Sequence, residues 1–392
     1  MQYRKDKYGN PISVLGYGCM RFSQTITGPD FKKAEAEVMS AINQGINYFD
    51  TAYIYPGSEA TLGKILEKNN VRDKVKIATK LPHYLLKKEG DCEKLFNEEL
   101  TRLRTDHVDY YLMHMLSDAV TWNRLVELGV KDWLEQKKKE GVIRQIGFSY
   151  HGNSESFMKL IDAYDWDFCM IQYNYMDETS QAGVTGVKYA ASKGIPIMIM
   201  EPLRGGKLAT KLPKDAVKIF KKYKADREPA EWSFRWLWNQ PEITCVLSGM
   251  NSLEMVAENI RSASKAEAGC LSDAEKTVIS DVVKEIRSKE KIGCTGCRYC
   301  MPCPKSVDIP GIFAAYNRRY SDSKFEGLKD YVMCTLIRKN STGASNCIKC
   351  GKCEQHCPQG IHIREELETV RKTFEGPIYK IAKWVIPLFM KN

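Results

Sequence analysis

Eight short apolar runs, each followed by an amphipathic stretch, fill most of the chain ahead of Cys294 and restrict the fold more than any other feature. The predicted strands lie around 14–18, 46–50, 75–80, 108–114, 143–149, 168–173, 195–200 and 243–249. Between them, apolar residues three and four apart predict helices over 31–44, 60–69, 92–103, 124–140, 154–164, 179–193, 228–238 and 253–262. Gly-containing turns separate the units. Eight such repeats in about 250 residues fit an α/β fold, the (β/α)₈ TIM barrel. An open doubly wound sheet is the alternative, but no GxGxxG follows the first strand as a dinucleotide-binding sheet requires. A further helical pattern, 272–288, leads out of the barrel.

Beyond that helix the decisive residues are cysteines. Of the fourteen in the chain, eight form two runs, Cys294-Thr-Gly-Cys297-Arg-Tyr-Cys300-Met-Pro-Cys303-Pro and Cys347-Ile-Lys-Cys350-Gly-Lys-Cys353-Glu-Gln-His-Cys357-Pro. A secreted disulfide protein would be smaller and carry a leader, so the clustering reads as metal binding. Three thiolates spaced by two residues wrap one face of a compact iron–sulfur cluster, and in two-cluster ferredoxins the fourth cysteine, before proline, ligates the other cluster. That logic assigns Cys294, Cys297, Cys300 and Cys357 to one [4Fe–4S] centre and Cys347, Cys350, Cys353 and Cys303 to a second. The first run is one residue shorter before its last cysteine, which would also let Cys303 close its own cluster. Paired four-cysteine zinc sites are the competing metal reading; the repeated CxxCxxC and both Cys-Pro steps favour iron–sulfur. Cys19, Cys92, Cys169, Cys245, Cys270 and Cys334 are expected to be small buried hydrophobes, and His356 a solvated neighbour of Cys357. This part is expected to be a small α+β ferredoxin-like or α-helical domain.

The domain plan is therefore a barrel over 1–270, a linking helix over 271–290, a two-cluster domain over 291–375 and an apolar, basic tail over 376–392. The net charge of +10 comes from cations spread among 49 acidic residues. With no block of like charge and no recognisable motif, nucleic acid is not expected as a partner. No apolar run approaches the roughly 18 residues of a membrane span. The tail, with Ile378, Ile381, Trp384, Val385, Ile386, Leu388 and Phe389, reads as docking on the protein's own surface or as an amphipathic membrane contact, with Pro387 interrupting it as a helix. The polar N-terminus and the clusters suggest a cytoplasmic, oxygen-poor setting. Oligomeric state is not legible.

Barrel active sites lie at the C-terminal ends of strands. Asp50 ends the second predicted strand and Tyr55 follows in its loop; Lys80 ends the third, and His114 the fourth. Alone, each has a dull explanation as a cap, a solvated charge or a structural imidazole. Together, at three consecutive strand ends, they form a catalytic pattern. Here the sequence closely resembles the aldo-keto reductase family, from the first strand to about Arg261, with the Ser-Glu-Ala-Thr-Leu-Gly of 58–63 extending the match. The whole chain resembles the subgroup with a C-terminal ferredoxin-type extension.

The resemblance implies a carbonyl reductase using NAD(P)H, with Tyr55 as proton donor. A free tyrosine has a pKa of about 10, and Lys80 is expected to lower it while Asp50 keeps Lys80 charged and aimed. His114 would orient the carbonyl oxygen. The resemblance also implies that Ser149 and Gln172 hold the nicotinamide carboxamide, although Tyr150 replaces the usual asparagine. Met200 stands where an aromatic commonly stacks on the nicotinamide. The loop carrying Leu203, Arg204 and Gly206 would wrap the pyrophosphate, and Gly249, Asn251 and Asn259 would face the adenosine end. Gly249 and Met255 occupy positions where relatives carry cations for the 2′-phosphate, so NADH and NADPH both stay open, with Arg261 or Arg204 as compensating charges. Tyr17, Phe22, Tyr53 and Tyr84 are expected either at an apolar pocket wall or in the core.

Three functional readings follow: a small-molecule carbonyl reductase whose clusters exchange electrons with a redox partner; the same reductase with structural clusters; and an electron-transfer or scaffold protein with a non-catalytic barrel. Hydride moves two electrons and each cluster one, so direct exchange needs an intermediary. A flavin could serve, although no residue pattern indicates one.

Overall fold

The structure, a computed structural model, describes residues 1–26, 28–88, 90–296, 298–321, 323–336, 341–357 and 359–389, the side chains of 384–389 excepted. By internal contact the chain forms two units, Met1–Lys211 with Asp226–Thr277, and Leu212–Ala225 with Val278–Asn392. The segment Leu212–Ala225, which carries the helix Lys214–Tyr223, thus groups with the C-terminal residues.

In the first unit eight parallel strands close into a barrel: β1 Leu15–Gly18, β2 Tyr48–Asp50, β3 Lys76–Leu81, β4 Val108–Leu116, β5 Ile143–Tyr150, β6 Phe168–Gln172, β7 Ile197–Met200 and β8 Ile243–Ser248. Each strand pairs with its sequence neighbours, and β8 closes on β1 through Val246 opposite Leu15. Alternation along the strands sorts the side chains. Tyr48, Ala78, Tyr110, Leu112, Phe168, Met170, Met198, Cys245 and Leu247 form the inner core. The intervening residues, such as Phe49, Ile77, Tyr111, Phe148 and Ile171, face the surrounding helices. Asp50, Lys80, His114, Ser149, Gln172 and Met200 share the inward parity and lie at or near the C-terminal ends of six consecutive strands. The site is the top layer of the barrel's own filling.

Several helices differ from expectation for local reasons. The stretch 124–140 is two helices, Ala119–Glu127 and Val130–Lys139, because Gly129 between them takes φ +76°. The helix expected from residue 179 begins at Gly183, since Gln181 and Gly183 both hold positive φ. Ser58–Lys68 packs so closely on the next α-helix, Asp91–Leu103, that a Cβ at Gly63 would sit 2.5 Å from the Leu103 carbonyl oxygen, which explains the glycine of that motif.

The described part of the second unit is helical: Ile309–Ser321, Lys324–Leu336, Lys352–Gln355, Ile363–Phe374 and Pro377–Phe389. Of the two architectures expected there, the all-helical one is formed among the described residues. Its core joins Ile309, Ile312, Phe313, Tyr331, Leu367, Val370 and Phe374, with Tyr331 stacked on Phe374 at 4.7 Å. Contrary to expectation, the last helix runs through Pro387 and ends at Phe389. Its Tyr379 is buried and bonds Thr335 Oγ1 at 3.0 Å, so this turn of the tail docks on its own unit, while Ile378 is 71% exposed. The side chains of Trp384, Val385, Ile386, Leu388 and Phe389 lie outside the described residues. Among the described residues no helix is long and apolar enough to cross a membrane.

Candidate active site

Lys80 is 1% exposed and its ammonium lies 2.7 Å from Asp50 Oδ1 and 2.6 Å from the Thr51 carbonyl. Burial opposes the charged form, but Asp50 and Tyr55 outweigh it and hold the lysine above its usual pKa. Tyr55 sits in the loop after β2 with its ring centroid 4.9 Å from Lys80 Nζ and 6.0 Å from the His114 ring, edge to face. The expected lowering of the Tyr55 pKa is not the net result. Burial raises it above 10, and Lys80 only pulls against that. A strand irregularity carries His114: the register shifts between Met113 and Leu116, and Met115 takes φ +62° while its N–H donates to Ser149 Oγ at 2.8 Å. Burial, with the Lys80 charge adding to it, pushes His114 down to about 2, so the imidazole is neutral. Its Nδ1 has no partner among the described residues.

On the adjoining wall, Gln172 donates from Nε2 to Asp177 Oδ2 at 2.7 Å and leaves Oε1 buried without a partner among the described residues. Asp177 also accepts from Asn174 Nδ2 at 3.0 Å and Arg204 Nε at 2.9 Å. Sequence reasoning missed this carboxylate; its signal was the spacing Gln172, Asn174, Asp177 just past a strand end. Tyr150 faces outward, packed on Phe157 at 4.9 Å with its hydroxyl on the Asn153 carbonyl, so this residue is removed from the barrel interior. Met200 tops β7 facing inward beside the inner core. The loop after it takes positive φ at Glu201, Arg204, Gly205 and Gly206, a chain of tight turns closed by Arg204 N–H to Glu201 O and Gly206 N–H to Leu203 O. After β8, Asn259 Nδ2 donates to Ser248 Oγ at 3.1 Å, and Ser252 caps the helix Leu253–Ala263; the Asn251 carbonyl accepts from Ser23 Oγ. Of the four aromatics, Tyr17 and Phe22 are core, Tyr53 bonds Glu98, and Tyr84 is exposed beside His83.

In the second unit the cysteines face two cavities. One of about 340 Å³ is lined by Cys300, Cys303, Cys347, Cys350 and Cys353. A smaller one of about 20 Å³ is lined by Cys294, Cys300 and Cys357 and walled by Ile309, Pro310 and Phe313. Cys297 lies outside the described residues. The smaller cavity joins Cys294 and Cys300 of the first run to Cys357 of the second, and the larger joins Cys347, Cys350 and Cys353 of the second to Cys300 and Cys303 of the first. Asn317 fixes the approach to the first run by accepting from the N–H groups of Lys291 and Ile292, both at 2.9 Å. In the second run the Lys349 N–H donates to Cys347 Sγ at 3.4 Å. His356 is exposed at the rim of the larger cavity. Cys19, Cys92, Cys169 and Cys245 are buried and free, Cys270 is half-buried, and Cys334 donates to the Tyr331 carbonyl.

Residues 14–269 match the aldo/keto reductase family. The chain belongs to that family. This aldo-keto reductase is an oxidoreductase whose residues 293–361 match a 4Fe-4S dicluster domain. It is 26% identical over 299 residues to the uncharacterized oxidoreductase YqkF of Bacillus subtilis, covering 66% of this chain and 91% of that protein. It is 27% identical over 286 residues to L-galactose dehydrogenase of Arabidopsis thaliana, covering 66% and 87%. Among solved structures, an aldo-keto reductase of Klebsiella pneumoniae in complex with NADPH superposes with TM-score 0.59 at 20% identity, covering 72% of this chain and 96% of that one. The holo form of an aldo-keto reductase from Bacillus halodurans gives the same TM-score at 23% identity, with the same coverage.

Proposed function

We propose that this aldo-keto reductase reduces a small aldehyde or ketone with NAD(P)H, using Tyr55 as general acid, and that its C-terminal unit holds two [4Fe–4S] clusters for electron transfer. One arrangement carries the reading: the Tyr55 ring lies 4.9 Å from Lys80 Nζ, which is 2.7 Å from Asp50 Oδ1, and 6.0 Å from the His114 ring. Bound NAD(P)H supplies the hydride, and bound clusters carry single electrons. Tyr55, kept protonated by burial, gives its phenolic proton to the carbonyl oxygen, and the Lys80 ammonium stabilises the phenolate left behind. Neutral His114 donates a hydrogen bond to the same oxygen and fixes its direction.

The free Gln172 Oε1 fits the amide N–H of a carboxamide, and Ser149 Oγ its oxygen. Met200 would contact the nicotinamide ring through its thioether. Leu203, Arg204 and Gly206 would line the pyrophosphate, and Gly249, Asn251 and Asn259 the adenosine end. The NADPH bound by the Klebsiella relative supports this cofactor class. For the clusters, Cys294, Cys297, Cys300 and Cys357 form one ligand set and Cys347, Cys350, Cys353 and Cys303 the other, a division supported by the two cavities. A separate redox protein is the natural partner for such a unit, and a reducing cytoplasm its natural setting. A structural role for the clusters is favoured by the packing of six of these cysteines against the hydrophobic core, Cys294, Cys300, Cys303, Cys347, Cys353 and Cys357.

The test is Tyr55→Phe assayed with a panel of short aldehydes and ketones. We expect kcat/KM to fall by about 10²–10⁴ with NADPH binding retained. Full activity in the variant refutes the acid assignment, and iron without acid-labile sulfide in the wild type refutes the clusters.

A further inference from the structure

The strand that carries Lys80 has a second polar cluster on its other face, outside the barrel interior. Thr79 of β3 alternates with the inward Ala78 and Lys80, and its Oγ1 lies 2.6 Å from Glu59 Oε1 and 3.2 Å from Glu99 Oε1. Glu59 belongs to the helix Ser58–Lys68 and Glu99 to the helix Asp91–Leu103; they are 2% and 0% exposed. A hydroxyl carries one proton and cannot donate to two carboxylates. The shorter contact has the length of a hydroxyl bonded to an ionised oxygen, so Thr79 donates to Glu59. The contact with Glu99 is then favourable only if Glu99 itself holds a proton and donates to Thr79. The remaining oxygens agree. Glu59 Oε2 meets a cation, Arg102 Nη1 at 3.2 Å, whereas Glu99 Oε2 meets the neutral Tyr111 hydroxyl of β4 at 2.7 Å. Burial raises both acids, and the charge of Glu59 raises Glu99 further.

We propose that Glu99 is a neutral carboxylic acid in the folded protein and a positioning residue for Tyr55, at the head of a one-way hydrogen-bond chain. The positioning rests on the Tyr55 reading above. The chain runs from Glu99 through Thr79 to Glu59 and ends on Arg102. Arg102 Nη1 also donates to the Tyr53 carbonyl at 3.1 Å, and its guanidinium lies over the Tyr53 ring at 4.3 Å. Tyr53 is two residues from Tyr55, and Thr79 is next to Lys80, so the chain braces both residues from behind. The charged and titratable groups around Glu99 are Glu59, Arg102 and Tyr111, with Lys80 beyond Glu59, Glu98 on Arg102 and Cys92 beside Tyr111. A proton lost from Glu99 sets two carboxylates against one hydroxyl. Thr79 can then serve only one of them, and Arg102 is drawn from the Tyr53 carbonyl toward the new charge.

The experiment takes infrared difference spectra of the full-length protein at neutral pH in water and heavy water. A carboxylic-acid C=O stretch that shifts in heavy water is expected in the wild type and missing from Glu99→Gln. Kinetics with NADPH and the fastest short aldehyde of the panel above test the positioning. Glu99→Ala should lower kcat by about tenfold with KM little changed, and Glu99→Gln, which donates the same hydrogen bond, should recover most of it. The folded Glu99 titrates well above the unfolded value of about 4.3. Its stabilising contribution is therefore complete below that value and is lost as pH rises through the folded one. The urea midpoint and kcat of the wild type should decline toward alkaline pH more steeply than those of Glu99→Gln. Absence of the difference band overturns the proton assignment, and parallel pH profiles overturn the positioning. If Tyr55→Phe stays fully active, the positioning falls with the Tyr55 reading, while the infrared band and the urea profiles still decide whether Glu99 is neutral.

Discussion

The barrel and the cysteine unit solve the same problem, holding reactive groups in place, in opposite ways. In the barrel the protein does it alone: Lys80 has Asp50 and the Thr51 carbonyl, and Gln172 has Asp177. Its groups are held by one another and by the Thr51 carbonyl and Asp177. In the C-terminal unit the thiols of Cys294, Cys300, Cys303, Cys347, Cys353 and Cys357 pack directly against its core. There the proposed ligand set lies directly on the core, so binding and folding would be coupled. The lesson is that injury to the first region should appear as lost chemistry or a buried unpaired charge, and injury to the second as lost structure.

Stripping iron with a chelator under anaerobic conditions should give the largest effect. We expect the C-terminal unit to lose protease resistance while NADPH binding persists, and Cys350→Ser to lower the iron and sulfide content by about half. Uniform protease resistance before and after chelation would erase the contrast. Next comes Lys80→Met. It leaves the buried Asp50 carboxylate alone and should cost about 3–5 kcal/mol in urea unfolding, most of it restored in the Asp50→Asn, Lys80→Met double variant. A cost near zero would mean the pair is not held as an ion pair.

A smaller effect concerns pH. An unfolded histidine titrates near 6.5, whereas folded His114 titrates at about 2, so between those values only the unfolded chain takes up the proton. Stability should therefore fall as pH drops below about 6.5, by at most about 1.4 kcal/mol per pH unit for this side chain. His83 and His151, also lowered by burial, add in the same sense. His114→Gln should flatten the slope in acid unfolding curves. The smallest expected effect is that of Asp177→Asn, which keeps a side chain of the same shape but weakens its bonds to Gln172 and Arg204. It should cost about 1 kcal/mol in NADPH binding, several-fold in Kd, with kcat little changed.

Much of the barrel was legible because strand alternation and strand ends are properties of the local sequence: Asp50, Lys80, His114, Ser149, Gln172 and Met200 all share one parity and one end. Features set by single backbone angles were not. Nothing in 124–140 except Gly129 signals the break there, and that glycine is tolerated by helical periodicity. The direction of the Tyr55 shift was misread because the sequence names the neighbouring charge, whereas burial, the larger cause, belongs to the assembled fold. Tyr17 and Phe22 could not be told from pocket walls for the same reason. The cavity grouping Cys303 with the second run and Cys357 with the first depends on how the chain returns between the runs, which spacing alone left open.

Asp177 gives the molecule a property that no pair of its neighbours would have. One oxygen, Oδ2, receives Gln172 from the end of β6 and Arg204 from the loop after β7. A pull on that loop is thus felt by the Gln172 side chain, so the sites proposed for the two parts of a dinucleotide would be gauged by a single atom. A fragment that fills only one end would leave the other slack, and short analogues should be held far less firmly than the sum of their contacts suggests.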